Sequence, residues 1–247
     1  MTPATIKATH SKHPKPAQLD GQVKLTLHTI HAQKLFLGID ANKRSINLLQ
    51  FGKRMAEIWD AAEKDDPYAD WYLLKVYDAI LQLRKELSLA IDNYQQRLRE
   101  SSLAMGLNFT VFFSKKPVIE TLWFRTQYGY MGSGLVAQFD ELMRIILTAN
   151  RVGVLLEISE DAIRKQWLEK LLTLFKLPLK WEAKSITRQD VVAKNDLVKE
   201  VESKLGMLPE AILSKKLRSP FSPEIKVTPL NNTKDKENKT QSLNAET

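Results

Sequence analysis

The longest helix predicted from the sequence lies in DDPYADWYLLKVYDAILQLRKELSLAIDNYQQRLR, residues 65–99. Asp66 is a suitable N-cap, and Pro67 a suitable first helical residue, because proline needs no backbone N–H there. Apolar side chains then recur at alternating spacings of four and three, which forms a heptad-like seam on a helix about 45 Å long. A seam of this length predicts packing along the same subunit or pairing with another subunit. The second alternative makes these residues candidates for oligomerisation: Leu73, Tyr77, Ile80, Leu87, Ile91 and Tyr94.

Segments with strand patterns lie on both sides of this helix. In 23–29 apolar and polar residues alternate, which is typical of a half-buried strand. The aromatic and β-branched segments 107–114 and 118–126 predict two more strands, joined by Lys-Lys-Pro at 115–117. A short alternating segment at 179–184 predicts a further strand.

Amphipathic periodicity predicts four more helices, at about 45–59, 135–150, 160–176 and 187–206. Ser159 is the predicted cap of the third, and Thr187 with Asp190 forms a predicted capping box at the start of the fourth. The glycine-rich segment 128–134 predicts a turn before the second of them. The predicted fold class is therefore α+β and helix-rich, with a small antiparallel sheet or ribbon and one long amphipathic helix.

Both ends of the chain are predicted to be disordered basic tails. Residues 1–22 carry a net charge of +2 and residues 214–247 a net charge of +3, with few large apolar side chains. Such segments cannot bury enough apolar area to offset the entropy of ordering. A single domain for DNA binding and oligomerisation is predicted at 23–213. The overall charge of +8 favours a polyanionic partner such as DNA or RNA, although lysine-rich termini on a soluble protein explain it equally well.

Composition and motifs argue against several classes of function. The chain has no cysteine, which excludes disulfides, thiolate metal sites and cysteine nucleophiles. The pairs His10/His13 and His28/His31 have metal-ligand spacing, but no carboxylate accompanies them, so structural or solvated histidines are favoured. The glycines at 129–134 match neither a dinucleotide fingerprint nor a P-loop. We predict no cofactor, no metal and no enzymatic activity, and a cytoplasmic protein without a membrane segment.

Candidate contacts to DNA are basic and polar side chains on a strand face, in turns and near helix ends. Lys24, Thr26 and His28 project from one face of the first predicted strand, and a two-stranded ribbon fits the major groove. The complete candidate set is Lys24, Thr26, His28, Lys53, Arg54, Lys115, Lys116, Arg125, Arg151 and Arg188.

Seven short motifs follow one another along the chain. They are LTLHT at 25–29, DDPYADW at 65–71, YGYMG at 128–132, FDEL at 139–142, LTANRVG at 147–153, ITRQD at 186–190 and LPEAIL at 208–213. In this order they resemble the AcaB-like transcriptional regulators, which are proteins of integrating conjugative elements. The resemblance covers about 23–220 and implies a DNA-binding transcription factor with a ribbon-helix-helix-like fold. Length and basic ends are most similar to those members that activate type VI secretion genes, which implies a hexamer.

The leading hypothesis is an oligomeric, sequence-specific activator that binds double-stranded promoter DNA of a type VI secretion or conjugative-element locus. RNA polymerase or another regulator would be a further partner. The alternative is a structural or assembly protein of a secretion or conjugation apparatus, without sequence-specific DNA binding and with the seam as its partner surface. A third hypothesis, a nucleic-acid-processing enzyme, predicts magnesium-dependent cleavage, which we expect to be absent.

Overall fold

Two long helices form the centre of the fold, and a two-stranded ribbon lies beside them. The computed structural model describes residues 21–38, 46–155, 157 and 159–226, so most of the predicted tail 1–22 and the part of the predicted tail 214–247 from residue 227 onward lie outside the described residues. The α+β, helix-rich class is confirmed. The elements are β1 (Val23–Leu27), α1 (Ile30–Leu37), α2 (Leu48–Glu63), α3 (Pro67–Ala104), β2 (Val118–Leu122), α4 (Gln127–Val152), α5 (Glu160–Lys176), a 3₁₀ turn (Leu177–Lys180), α6 (Arg188–Ala193), α7 (Asp196–Leu205) and α8 (Glu210–Leu213).

Helix α3 packs mainly on α4 and α2, and its apolar seam provides that contact. Leu73, Ile80 and Leu87 are fully buried within the subunit, and Ile91 is nearly so. The seam therefore serves packing along the same subunit, because a surface that already contacts α4 is closed to another chain. The predicted oligomerisation role is accordingly wrong for the buried members Leu73, Ile80, Leu87 and Ile91. Tyr77 and Tyr94 are half-buried on the same seam, and for them the role stays a prediction.

The start of α3 is as predicted. Asp66 is the N-cap, and its Oδ1 accepts hydrogen bonds from the N–H groups of Tyr68 (2.8 Å) and Ala69 (3.0 Å), while Pro67 occupies the first helical position. The helix continues five residues beyond the predicted end and stops before Gly106, whose φ of 65° is left-handed.

Asp66→Asn should stabilise the protein at neutral pH. Burial, the largest cause, raises the pKa of the Asp66 carboxyl to about 6, whereas an aspartate in an unfolded chain titrates near 3.9. The folded state therefore binds this proton more tightly, and the stability contribution of Asp66 falls as the pH rises from about 4 to about 6. Asparagine caps helices equally well, so we expect a gain of about 1–3 kcal/mol at pH 7.5 that vanishes near pH 3.5. Urea unfolding at both pH values measures this difference; equal effects at the two pH values would contradict it.

Strands β1 and β2 pair antiparallel, with Val23 opposite Leu122 and Leu27 opposite Val118. Each strand is followed in sequence by two helices, β1 by α1 and α2, and β2 by α4 and α5. One chain thus supplies both strands of the ribbon and both of the following helix pairs, with α3 inserted between them.

Other predicted elements differ from the structure. Within the described residues, 107–114 pairs with no strand, and the segment predicted as a strand at 179–184 begins with the end of a 3₁₀ turn around Pro178. The single helix predicted at 187–206 is divided into α6 and α7, because Lys194 adopts a left-handed conformation and Asn195 caps a new helix. The capping box of Thr187 and Asp190 at the start of α6 is confirmed.

The predicted C-terminal tail begins too early. Residues 214–226 lie on the core: Ser219 is buried, its Oγ accepts a hydrogen bond from the Tyr128 hydroxyl (2.5 Å), and Phe221 contacts the rings of Tyr77 and Tyr128. A bidentate Arg218–Asp70 ion pair anchors the same segment. The ordered domain therefore extends to at least residue 226, since these polar and aromatic contacts offset the entropy of ordering it.

Candidate functional site

The outward face of the β1–β2 ribbon is the candidate site, and the strand register assembles it. Leu25, Leu27 and Leu122 are buried on the inner face. Because side chains alternate along a strand, the outer face comprises the residues between them. Lys24 lies opposite Thr121, and Thr26 lies opposite Ile119, and all four are exposed. This face carries a positive charge and two hydroxyls, whereas Glu120 shares the inner register of Leu25.

One end of the ribbon is held by Asp140, a buried residue of α4. Its carboxylate accepts hydrogen bonds from the His28 N–H (3.0 Å), the Thr29 N–H (2.8 Å) and the Thr29 hydroxyl (2.7 Å). The Thr29 hydroxyl also accepts a hydrogen bond from the Ala32 N–H and so caps α1. A buried carboxylate needs such donors, and these three orient the junction of β1 and α1 on α4.

The other end is held by Phe124, whose ring packs into a notch between two glycines. A Cβ atom at Gly52 of α2 or at Gly129 of α4 would lie 2.4 or 2.2 Å from this ring. The Phe124 N–H also donates a hydrogen bond to the Tyr130 hydroxyl (3.3 Å). The preceding Trp123 is left 74% exposed, which is unusual for tryptophan and typical of a contact residue.

The glycine-rich segment 128–134 belongs to α4 and is not a turn, so that prediction is wrong. Gly129 accommodates the Phe124 ring, and a Cβ atom at Gly132 would lie 2.9 Å from Leu48 of α2. These glycines serve close packing of α2, α4 and the end of the ribbon, which supports the exclusion of a phosphate loop.

A basic cleft of about 600 Å³ adjoins the ribbon where β1 ends and β2 begins. Arg144 donates a hydrogen bond from Nε to the Phe112 carbonyl (2.9 Å), and the Arg151 guanidinium lies 5.9 Å from the Phe112 ring. His28 accepts a hydrogen bond at Nδ1 from the Ser114 N–H (3.2 Å), which assigns the hydrogen of the neutral imidazole to Nε2. No carboxylate is among the described residues that line the cleft.

The structure thus brings together six of the predicted DNA-contacting residues at one edge of the molecule. Lys115 and Lys116 are exposed in the turn that leads into β2, next to the cleft. The six residues on the ribbon, turn and cleft are Lys24, Thr26, His28, Lys115, Lys116 and Arg151.

Three of the predicted arginines bind protein groups. The buried Arg188 is thereby removed from the predicted set, whereas the DNA role of the partly exposed Arg54 and of the exposed Arg125 stays a prediction. Arg54 donates to the carbonyls of Pro178 and Trp181 and to Glu57, while both Nη atoms of Arg125 bind the Asp60 carboxylate. Arg188 is buried and pairs with Asp65 and Asp70. Lys53 is exposed on α2, outside the ribbon and the cleft.

Sequence reasoning missed several residues that share this surface. The strand predicted at 118–126 has Ile119, Thr121 and Trp123 at every second position. Its period of two could therefore have identified them once the inner face was known. No sequence pattern identifies Arg144 as part of this surface, because only the packing of 107–114 on α4 brings it beside Phe112.

Within the described ranges, no group of three or more histidine, cysteine or acidic residues could hold a metal ion. His10 and His13 lie outside the described residues. Among the helices described, none combines the length and the apolar character needed to cross a bilayer.

Comparisons with known proteins place these observations in context. The family model described as "Transcriptional regulator AcaB" matches residues 15–226. Among solved structures, the chain resembles selenomethionine-containing AcaB from uropathogenic E. coli at a TM-score of 0.45 and 16% identity, covering 79% of this chain and 95% of that chain. No curated protein matches the chain. At this distance the structural likeness assigns no role to any residue.

Proposed function

Since this chain belongs to the AcaB family of transcriptional regulators, we propose that it is a DNA-binding activator whose β1–β2 ribbon enters the major groove. The observation that carries this proposal is the exposed outer face of the ribbon. A two-stranded ribbon has dimensions that the major groove accepts. Lys24, Thr26 and Thr121 supply donors and acceptors for base edges, and Ile119 supplies an apolar contact for a thymine methyl group.

Affinity would come from cations that flank the ribbon and contact phosphates. Lys115 and Lys116 stand in the turn before β2, and Arg144 and Arg151 line the adjoining cleft. Trp123, at the opposite end of β2, would add a flat apolar contact to the sugar-phosphate backbone or to an unstacked base. Both ends of the ribbon are fastened to α4, so the outer face is preorganised for binding.

The finer parts of the proposal rest on the motif resemblance. We infer a homo-oligomer, of six copies by that resemblance, that acts in the cytoplasm on promoters of a type VI secretion or conjugative-element locus. Activation would require contact with RNA polymerase or with another regulator. The alternative of an apparatus assembly protein is less well supported, because the seam that would have been its partner surface is buried against α4.

The direct test is a pull-down of fragmented genomic DNA at physiological salt, with excess competitor DNA, followed by sequencing. We expect a few sharp peaks upstream of genes, which would also identify the regulated promoters. A featureless background would contradict a sequence-specific regulator and favour the assembly protein.

Binding to the recovered site should weaken steeply with salt. Each phosphate neutralised by a protein cation contributes about −0.9 to the slope of log K against log salt concentration. Five contacts, from Lys24, Lys115, Lys116, Arg144 and Arg151, therefore predict a slope of about −4 to −5. Fluorescence anisotropy with a labelled duplex between about 50 and 300 mM salt measures this slope, a range over which counterion release dominates. A slope near zero would exclude phosphate-driven binding.

A further inference from the structure

The segment Leu107–Ser114 has the composition of a strand but lacks a strand partner. Its sequence, LNFTVFFS, is rich in aromatic and β-branched residues, yet no ladder includes it among the described residues. The chain therefore holds a strand-forming segment whose pairing is not completed within the described part of one subunit.

The hydrogen bonds of this segment show which of its edges is used. Phe112 donates its N–H to the Thr148 hydroxyl (2.8 Å), and its carbonyl accepts a hydrogen bond from Arg144. Ser114, two residues later, donates its N–H to His28 Nδ1. Backbone groups two residues apart point to the same edge of a strand. The even-numbered residues therefore direct their backbone groups toward the protein.

Beyond Leu107, the odd-numbered residues direct their backbone groups away from it. Leu107 itself donates its N–H to the Ser102 carbonyl of α3 (3.0 Å), and its carbonyl accepts a hydrogen bond from the Ser102 hydroxyl (2.6 Å). Within the described residues, the N–H groups of Phe109, Val111 and Phe113 have no acceptor. An unpaired edge of this kind is a template for another strand. Exposed apolar side chains flank the segment, since Leu103 is 73% exposed and Phe113 is 67% exposed. Leu103 lines a groove of about 460 Å³ together with Phe109 and Val111.

We propose that this edge pairs antiparallel with the same segment of a second copy of the chain. A two-fold axis at Thr110 places Phe109 opposite Val111 and Leu107 opposite Phe113. The central pair of Phe109 and Val111 uses backbone groups that are available, and both pairs place apolar side chains opposite one another on a single face. An isologous contact requires such self-complementarity, and no acidic or basic residue interrupts 107–113.

The pairing gives the proposed regulator a dimer surface separate from the α3 seam. A two-fold dimer would present its two ribbons to DNA in opposite orientations and would favour inverted half-sites. This consequence rests on the proposed function, whereas the pairing itself does not depend on DNA binding.

The experiment measures the mass of the full chain by light scattering and sedimentation over a wide range of protein concentration. Two variants interrupt the edge: Val111→Pro removes an N–H that faces the second copy, and Phe113→Asp places a charge opposite Leu107. Leu89→Asp is the matched control, because Leu89 is an equally exposed leucine on α3 outside this surface. Circular dichroism verifies the fold of each variant.

We expect the wild type to associate and both edge variants to weaken this association at least tenfold, with the control unchanged. Should Val111→Pro fail to fold, the exposed Phe113→Asp decides the outcome. A wild type that stays monomeric at every concentration would overturn the proposal, as would variants that keep the wild-type mass. A segment of the same chain that covered the edge would also leave the wild type monomeric, and that outcome likewise overturns the pairing between copies. Failure of wild-type DNA binding leaves the mass measurement unaffected, so the two proposals can fail separately.

Discussion

Asp70→Ala is expected to lower the free energy of unfolding by about 3–5 kcal/mol, the largest stability effect of any single substitution considered. Asp70 is fully buried on α3 and holds two arginines. Arg218 donates from Nε (2.9 Å) and from Nη2 (2.8 Å) to its carboxylate, and Arg188 donates from Nη2. Without the carboxylate, the buried Arg188 would keep one ion pair, with Asp65, and its hydrogen bonds to the carbonyls of Ile212 and Leu213. Arg218 would lose its ion pair to the core.

Urea unfolding of wild type and variant measures this effect, with Asp78→Ala as the control. Asp78 is an exposed aspartate on the same helix, and its substitution should change stability by less than about 0.5 kcal/mol. Similar results for the two variants would show that the cluster around Asp70 contributes little. Arg188→Ala should likewise destabilise the protein and leave the DNA affinity of the remaining folded molecules unchanged.

The second large effect concerns the ribbon. Lys24→Glu should weaken binding to the specific DNA site about 100-fold or more, because it replaces a cation on the outer face with an anion that phosphates repel. Lys24 is exposed, so stability should not change. Lys199→Glu is the control, because Lys199 is an exposed lysine on α7, outside the ribbon and the cleft. Anisotropy titrations at one salt concentration compare the three proteins.

Two double variants separate the recognition of bases from the electrostatic attraction to phosphates. Thr26→Ala with Thr121→Ala should lower affinity for the specific site and leave non-specific binding unchanged, since hydroxyls on the ribbon would read bases. Lys115→Ala with Lys116→Ala should weaken both kinds of binding and reduce the salt slope by about 2. If Lys24→Glu binds like wild type while Arg151→Glu does not, the cleft and not the ribbon is the DNA surface.

Several motifs that carry the family resemblance meet in the buried cluster around Asp70. DDPYADW supplies Asp65 and Asp70, ITRQD supplies Arg188, and the Leu213 carbonyl at the end of LPEAIL accepts a hydrogen bond from Arg188 Nε. These motifs thus build the core, whereas LTLHT supplies part of the ribbon. The motifs that carry the resemblance therefore contribute to the buried core as well as to the exposed ribbon.

Local features were predictable from the sequence alone. The caps at Asp66, Ser159 and Thr187 and the apolar period of most helices depend on interactions between residues close in the chain, and the alternating patterns of β1 and β2 are local as well. They were assigned correctly because hydrogen bonds over three or four residues and apolar periodicity leave the same pattern in every protein. Basic side chains on both sides of β2 were identified from the sequence in the same way.

Partners distant in the chain were decided by the tertiary structure. Arg188 and Lys24 are both basic residues near an element boundary, yet Arg188 is buried 118 positions from Asp70 whereas Lys24 is exposed. Likewise, 107–114 has the propensity of a strand, but a strand also needs an edge to pair with, and the described subunit provides none. Sequence determined the helix caps and most of the helices, since those choices are local. Only packing decided which charged side chains stay exposed and that the apolar seam of α3 is buried within the subunit. Both outcomes depend on the elements that come to lie opposite one another.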